Sequence, residues 1–231
     1  MKTIGLIGGV SWVSTIDYYR LINQGINAKL GGLNYSECII YSFNYADIVK
    51  NNEAKDWDAT YTMVAAACKH LVNAGATAIV LCANTMHVIA DRIQQDLDIP
   101  VIHIATATAN EISQKKLHKI GLLGTRFTME LDFFTSKLQD KNIETILPGK
   151  EDRDFIHHSI SEELGKGIFL SETKEKYLSI INKLVEEGAE GIILGCTEIP
   201  MLISQQDMDV PAFDTTAIHS AAAVLHALQE E

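Results

Sequence analysis

Ala74-Gly-Ala-Thr-Ala-Ile-Val-Leu-Cys-Ala-Asn-Thr85 lies over Glu187-Gly-Ala-Glu-Gly-Ile-Ile-Leu-Gly-Cys-Thr-Glu198 without a gap, matching Gly75 to Gly188 and Leu81 to Leu194. In both copies a glycine ends a helical stretch, where the left-handed conformation past a helix C-terminus costs glycine least. The runs Ala78-Ile-Val-Leu81 and Gly191-Ile-Ile-Leu194 that follow are unbroken apolar segments. Such runs suit strands covered by helices on both faces. The likeness extends outward: Lys2-Thr-Ile-Gly-Leu-Ile-Gly-Gly9 reads like His118-Lys-Ile-Gly-Leu-Leu-Gly-Thr125, and Ile99-Pro-Val-Ile-His103 like Val210-Pro-Ala-Phe-Asp214. A unit written twice predicts two similar lobes facing each other across a cleft.

Around these anchors, short β-branched runs at 3–7, 37–42, 77–82, 101–104, 120–123, 144–147, 191–194 and 212–214 read as strands. Longer amphipathic stretches separate them, which is the signature of βαβ units and parallel sheets. The expected fold class is α/β, with two parallel-sheet lobes. The expected division is 1–98 plus 210–231 for the first lobe and 99–209 for the second, with the final strand and helix returning to the first lobe.

The 231 residues are 47% hydrophobic and 21% charged, enough for a sizeable core. A formal net charge of -11, spread along the chain, argues against a nucleic-acid partner and against an anionic membrane. The stretch Met1–Val10 is too short and glycine-rich for a signal peptide, and no apolar run is long enough to span a bilayer, so the expected location is the cytoplasm. Cys38, Cys68, Cys82 and Cys196 form no C-x-x-C pair and no zinc-like spacing, so reduced thiols and no metal are expected.

In an open parallel sheet, ligands gather beyond the carboxyl ends of the strands. Four such ends carry small polar residues: Gly8-Gly9-Val10-Ser11, Asn84-Thr85, Thr125-Arg126-Phe127-Thr128 and Cys196-Thr197-Glu198. They can cradle a carboxylate, and the same side chains serve as helix caps. Cys196 stands between a strand end and a helix start, where backbone N–H groups and the helix dipole are expected to lower a thiol from about 8.5. It is the best acid/base candidate, whereas Cys38 and Cys68 read as small buried residues. Gly5-x-x-Gly8-Gly9 departs from G-x-G-x-x-G, and no acid closes the second strand, so NAD is not expected. His87 reads as a local hydrogen-bonding residue that can also tune a neighbour. His157-His158 reads as structural, and Asp214 as the cap of the last helix.

In combination, Gly5-Leu-Ile-Gly-Gly-Val-Ser-Trp-Val-Ser-Thr15, Tyr18-Tyr-Arg-Leu-Ile-Asn23, Asn84-Thr-Met-His87, Gly195-Cys-Thr-Glu198 and Phe213-Asp-Thr-Thr-Ala-Ile-His219 are specific. On these motifs the chain resembles, over essentially its whole length, the aspartate/glutamate racemases, and in one respect their broader-specificity branch. The resemblance implies two α/β lobes related by a pseudo-twofold with the active site between them, a homodimer, and no metal or organic cofactor such as pyridoxal phosphate. It also implies two cysteines flanking a small amino-acid substrate, one removing the α-proton and the other returning one to the opposite face. Ser11, Asn84, Thr85 and Thr197, with backbone at Gly9 and Val10, would hold the α-carboxylate.

The chain departs from that pattern twice. The position immediately before Asn-Thr, a cysteine in the family, is Ala83, and Cys82 stands one residue earlier. A one-residue step along a strand reverses the side chain, so Cys82 is expected to point into the sheet packing and Ala83 into the cleft, with relaxation at the strand end as the alternative. The stretch Asn44-Tyr-Ala-Asp-Ile-Val-Lys-Asn-Asn52 lacks the arginine that grips an acidic side chain in aspartate racemases. Asn51 or Asn52 offers an amide there, and Lys166 matches a family lysine for that carboxylate or is a solvent-facing loop residue. The expected function is therefore cofactor-independent amino-acid racemisation with Cys196 as principal acid/base. The rivals are a one-cysteine decarboxylase or isomerase of the same fold, and a non-catalytic amino-acid-binding relative.

Overall fold

The computed structural model describes residues 1–229. The chain divides into two compact units, one of Met1–Ile104 with the segment from His219 onward, the other Ala105–Ile218. In the first unit, β1 (Ile4–Gly8), α1 (Trp12–Leu30), β2 (Cys38–Ser42), α2 (Tyr45–Glu53), α3 (Trp57–Asn73), β3 (Ala78–Leu81), α4 (Ala90–Gln95) and β4 (Val101–Ile102) follow in order, and α5 (Ile104–Gln114) leads out. The second unit contains β5 (Lys119–Gly124), α6 (Arg126–Glu130), α7 (Asp132–Gln139), β6 (Glu144–Ile146), α8 (Lys150–Glu162), α9 (Ser171–Glu186), β7 (Ile192–Gly195), α10 (Ile199–Leu202) and β8 (Ala212–Asp214), after which α11 (Thr215–Ala227) leads back.

Each unit carries a four-stranded parallel sheet, in the orders β2-β1-β3-β4 and β6-β5-β7-β8. The registers repeat as well: Gly5 pairs with Ile79 in one sheet and Gly121 with Ile192 in the other, which are the pairings the gapless alignment demands. The boundaries differ from the expected ones. Val101–Ile102 pairs with β3 and completes the first sheet, and Ala212–Asp214 pairs with β7 and stays in the second, so only the last helix returns. The reason is local: a strand that follows its neighbour through a short helix pairs beside it, so each repeat keeps its own fourth strand.

Alternation along β3 sorts the first unit's core into two layers. Ile79 and Leu81 join Ile7, Val64, Cys68 and Leu71 on the α3 side. Ala78, Val80 and Cys82 join Ile4, Leu6, Tyr18, Ile22 and Ile26, with Ala223, Val224 and Ala227 of α11. This is the side-chain reversal that the period of two imposes on a strand buried on both faces.

Candidate functional site

The loop after β1 is shaped by backbone crowding. Gly9 has φ +80, and a Cβ there would stand 2.2 Å from the Phe43 carbonyl oxygen. No side chain fits, so the chain passes against the end of β2 with bare backbone. Gly9 N–H donates to Thr15 Oγ1 at 2.8 Å, and the Thr15 hydroxyl donates to the Ser11 carbonyl at 2.9 Å. The buried Ser14 hydroxyl lies 3.0 Å from the Ser11 carbonyl and 3.1 Å from that of Cys82, tying the β1 loop to the end of β3. Ser11 occupies the N-cap of α1 yet makes no side-chain capping bond, and the Asn84 side chain makes none either. Capping was expected of both. Its absence leaves the Ser11 hydroxyl uncommitted at a strand end, while Thr125 and Asp214 do cap, accepting from Thr128 N–H and from Thr216 and Ala217 N–H.

Cys82 is wholly buried in the layer beneath α1, and burial pushes its thiol far up, with a lesser push from Cys38. Ala83 lies on the other face, half-buried against the α3 layer. Asn84 is buried and Thr85 half-buried. In α2, Asn51 Nδ2 turns to the Met63 sulfur at 3.4 Å, while the Asn52 amide oxygen is buried with no hydrogen-bond partner. Asn44 donates to Asp47 at 3.0 Å.

In the second unit, β7 delivers Cys196, which is 8% exposed. Its thiol donates to Glu198 Oε2 at 2.9 Å, and the Thr197 hydroxyl donates to the same oxygen at 2.6 Å. The expectation of a lowered thiol is corrected here. Burial and the adjacent Glu198 carboxylate push the Cys196 thiol well up, and the opposing N–H groups of Glu198 and Thr197 do not offset them. The following helix, Ile199–Leu202, has four residues and starts beyond the thiol, so it supplies little dipole. Thr197 was expected to hold a substrate carboxylate, but its hydrogen is committed to Glu198. Glu198 is the functional candidate that sequence reasoning passed over. Its signal was present in the Gly-Cys-Thr-Glu motif, where a carboxylate two residues past a thiol can fold back onto it.

Why the thiol stands at 196 and not 195 is steric: a Cβ at Gly195 would meet the Leu123 carbonyl oxygen at 2.7 Å and Thr128 Cγ2 at 3.2 Å. The matching position in the first unit, Cys82, has room in the α1 layer. Lys166 ends a single turn and pairs with Glu162 at 2.6 Å, with both side chains more than half exposed. That places it on the solvent-facing side of the two readings. His157 Nδ1 accepts from Arg126 N–H at 3.3 Å, and Arg126 pairs with Asp154 at 3.2 Å. Burial of Cys68 inside α3 pushes its thiol to about 12, as suits a packing residue. Among the described residues, no three His, Cys, Asp or Glu side chains are arranged to hold a metal ion, and no helix is long and apolar enough to cross a membrane.

The chain is similar over nearly its whole length to proteins of known structure. A candidate Asp/Glu racemase of known structure from Yersinia pestis is 47% identical with a TM-score of 0.94, covering 99% of this chain and 100% of that one. An aspartate racemase homologue from Pyrococcus horikoshii is 36% identical with a TM-score of 0.87, over 99% of this chain and 100% of its own. The broad-specificity amino-acid racemase RacX of Bacillus subtilis is 24% identical over 96% of each chain. The sequence profile of the Asp/Glu/hydantoin racemases matches residues 7–223, so the chain belongs to the Asp/Glu/hydantoin racemase family.

Proposed function

We propose that this protein is an isomerase that racemises a small α-amino acid without pyridoxal phosphate, with Cys196 as its principal acid and base. The observation that carries the reading is the 2.9 Å contact from the Cys196 thiol to Glu198 in a nearly closed environment. A cysteine kept only for packing needs no carboxylate, whereas a proton-transfer thiol whose ionisation is uphill needs a place for its proton. Glu198 takes that proton. The thiolate then takes the α-hydrogen as a proton, leaving the C–H electron pair on Cα, delocalised toward the carboxylate. A solvent proton added to the opposite face of Cα gives the other hand, and return of the proton from the Cys196 thiol to the same face regenerates the starting one.

Ser11, Asn84 and Thr85, with the backbone at Gly9 and Val10, are assigned to the α-carboxylate, which they hold alike before and during removal of the proton. The unpartnered Asn52 oxygen is a ready acceptor for the substrate ammonium. Acidic amino acids are in the substrate range, but no arginine clamp stands between Asn44 and Asn52, and Lys166 already has Glu162 as its partner. A wider side-chain range follows, in line with the name of the Bacillus subtilis relative. A homodimer belongs to the same reading through the family resemblance.

Ala83 favours one rival specifically. A methyl group neither gives nor takes a proton, and Cys82 is sealed in the core, so the chain has one well-placed thiol, as a one-cysteine decarboxylase or isomerase would. Exchange in deuterium oxide separates the readings. Racemisation predicts wash-in of deuterium at Cα, faster for one enantiomer than the other, and lost in Cys196→Ala. Release of carbon dioxide without product of opposite hand would establish the decarboxylase instead, and tight binding without either would leave a binding protein.

A further inference from the structure

Next to Ala83 stand two buried imidazoles, His87 and His219, and the half-buried His103. The end of β3 winds tightly, with Ala83 N–H donating to Leu81 O at 2.8 Å and His87 N–H to Asn84 O at 3.0 Å. The His87 ring closes this winding: its Nδ1 is 3.0 Å from Ala83 O and 3.3 Å from Asn84 O. Carbonyl oxygens only accept, so Nδ1 carries the hydrogen and donates to them. The ring is 1% exposed, and burial outweighs the carbonyls of Ala83, Asn84 and Ile102 to bring it down to about 4, so it is neutral at pH 7.

The ring is itself held. His87 stands edge-on to His103 and His219, with centroids 4.8 and 5.2 Å away. His219 Nε2 donates to Ile102 O at 2.6 Å, and its Nδ1 accepts from the Tyr18 hydroxyl at 2.8 Å. Residues from α1, the end of β4 and α11 thus fix one orientation of His219 and, through it, brace His87. The second unit builds the same strand–loop–helix without such a ring: the gapless alignment sets Pro200 opposite His87, and the Cys196 carbonyl takes the Ile199 N–H at 3.3 Å. The imidazole is therefore not a requirement of the repeat. It belongs to the unit whose strand end carries Asn-Thr.

We propose that His87 is a positioning residue for substrate binding: its Nδ1–H anchors the Ala83 and Asn84 carbonyls and so aims the Asn84 and Thr85 side chains at the substrate carboxylate. The ligand's identity rests on the racemase reading. Groups that hold a carboxylate alike in ground and transition states act on KM and leave kcat largely alone. Loss of the anchor raises KM.

Two substitutions separate the anchor from simple space filling. Asn places an amide nitrogen near the position of Nδ1 but leaves a gap, whereas Gln fills more of the volume and reaches the position of Nε2. His87→Gln is expected to raise KM about tenfold with kcat within about twofold, and His87→Asn to stay within about threefold of the parent, the scale of one ordinary hydrogen bond. If Asn proves as damaging as Gln or worse, or if either variant lowers kcat with KM unchanged, the proposal is overturned. Should no amino acid exchange its α-hydrogen, Kd for aspartate and glutamate measured by calorimetry takes the place of KM in the same comparison, so failure of the chemistry and failure of the anchor read differently. Independently of any substrate, imidazole 15N shifts of the free protein at pH 7 must show His87 protonated at Nδ1 and His219 at Nε2. The reverse pattern for His87 refutes the anchor.

Discussion

At the scale of a single residue, the reaction turns on where a proton can go: the Cys196 thiol points at Glu198, and the Thr197 hydroxyl shares the same oxygen. Glu198→Gln keeps the shape and removes the base. It is expected to lower kcat for α-deuterium exchange by about 100-fold or more, the usual range for a positioned acid–base group, with KM nearly unchanged. Cys82→Ala, in contrast, is expected to leave exchange intact and to cost about 1–2 kcal/mol in denaturant unfolding, as a small void opens in the α1 layer. Loss of exchange in a folded Cys82→Ala protein would place that thiol in the reaction. The contrast between positions 82 and 83 was legible in the sequence because strand alternation is strict. The partner of Cys196 was not, because a side chain folding back two residues along a loop follows no period.

At the scale of elements, the repeat in the sequence carried over into strand order and register, since apolar runs and helix-ending glycines are local signals. The ownership of β4 and β8 was less legible. Nothing in a two- or three-residue strand says which sheet receives it, and the pairing is decided by the short connection before it. Ala83→Cys tests the repeat chemically, by restoring a thiol at the position that matches Cys196. Initial rates for the neglected enantiomer should rise, by up to about 100-fold if the thiol is well placed. Helices α8 and α9 are joined by Asp152, 13% exposed at its side chain, which receives Lys176 at 2.7 Å and Lys183 at 2.8 Å. Burial alone would raise the Asp152 carboxyl, but the two ammonium groups outweigh it and hold it below its usual value. Its contribution is thus present at neutral pH and lost as pH falls through the lowered value. Asp152→Asn should cost about 1–2 kcal/mol at pH 7, a figure discounted for two half-exposed lysines, and the difference from the parent should vanish in strong acid.

For the whole molecule, acid acts unevenly on the two units. Burial brings His87 to about 4 and His219 to about 3, the latter with help from His87, and both belong to the first unit. In the unfolded chain these rings take up protons near pH 6.5, so stability is fully present above that value and drains away as pH falls toward the folded values. A loss of about 3 kcal/mol for His87 alone corresponds to its shift between the two states. Hydrogen exchange should therefore show the first unit opening before the second between about pH 6 and pH 4. Equal loss of protection in both units would contradict this.

The return of α11 to the first unit also sets an order in time. Ala223, Val224 and Ala227 lie in the same core layer as Ile4, Leu6 and Tyr18, and Lys2 N–H donates to Ala227 O at 2.9 Å. The second unit is one uninterrupted stretch, 105–218, whereas the first needs residues made at opposite ends of the described chain. The unit encoded second is thus complete in one stretch, whereas the unit encoded first keeps part of an apolar sheet face uncovered until α11 docks. A chain truncated after residue 218 should display a protease-resistant second unit attached to a cleavable first one, so the interval before α11 docks is the period in which this protein most needs a chaperone.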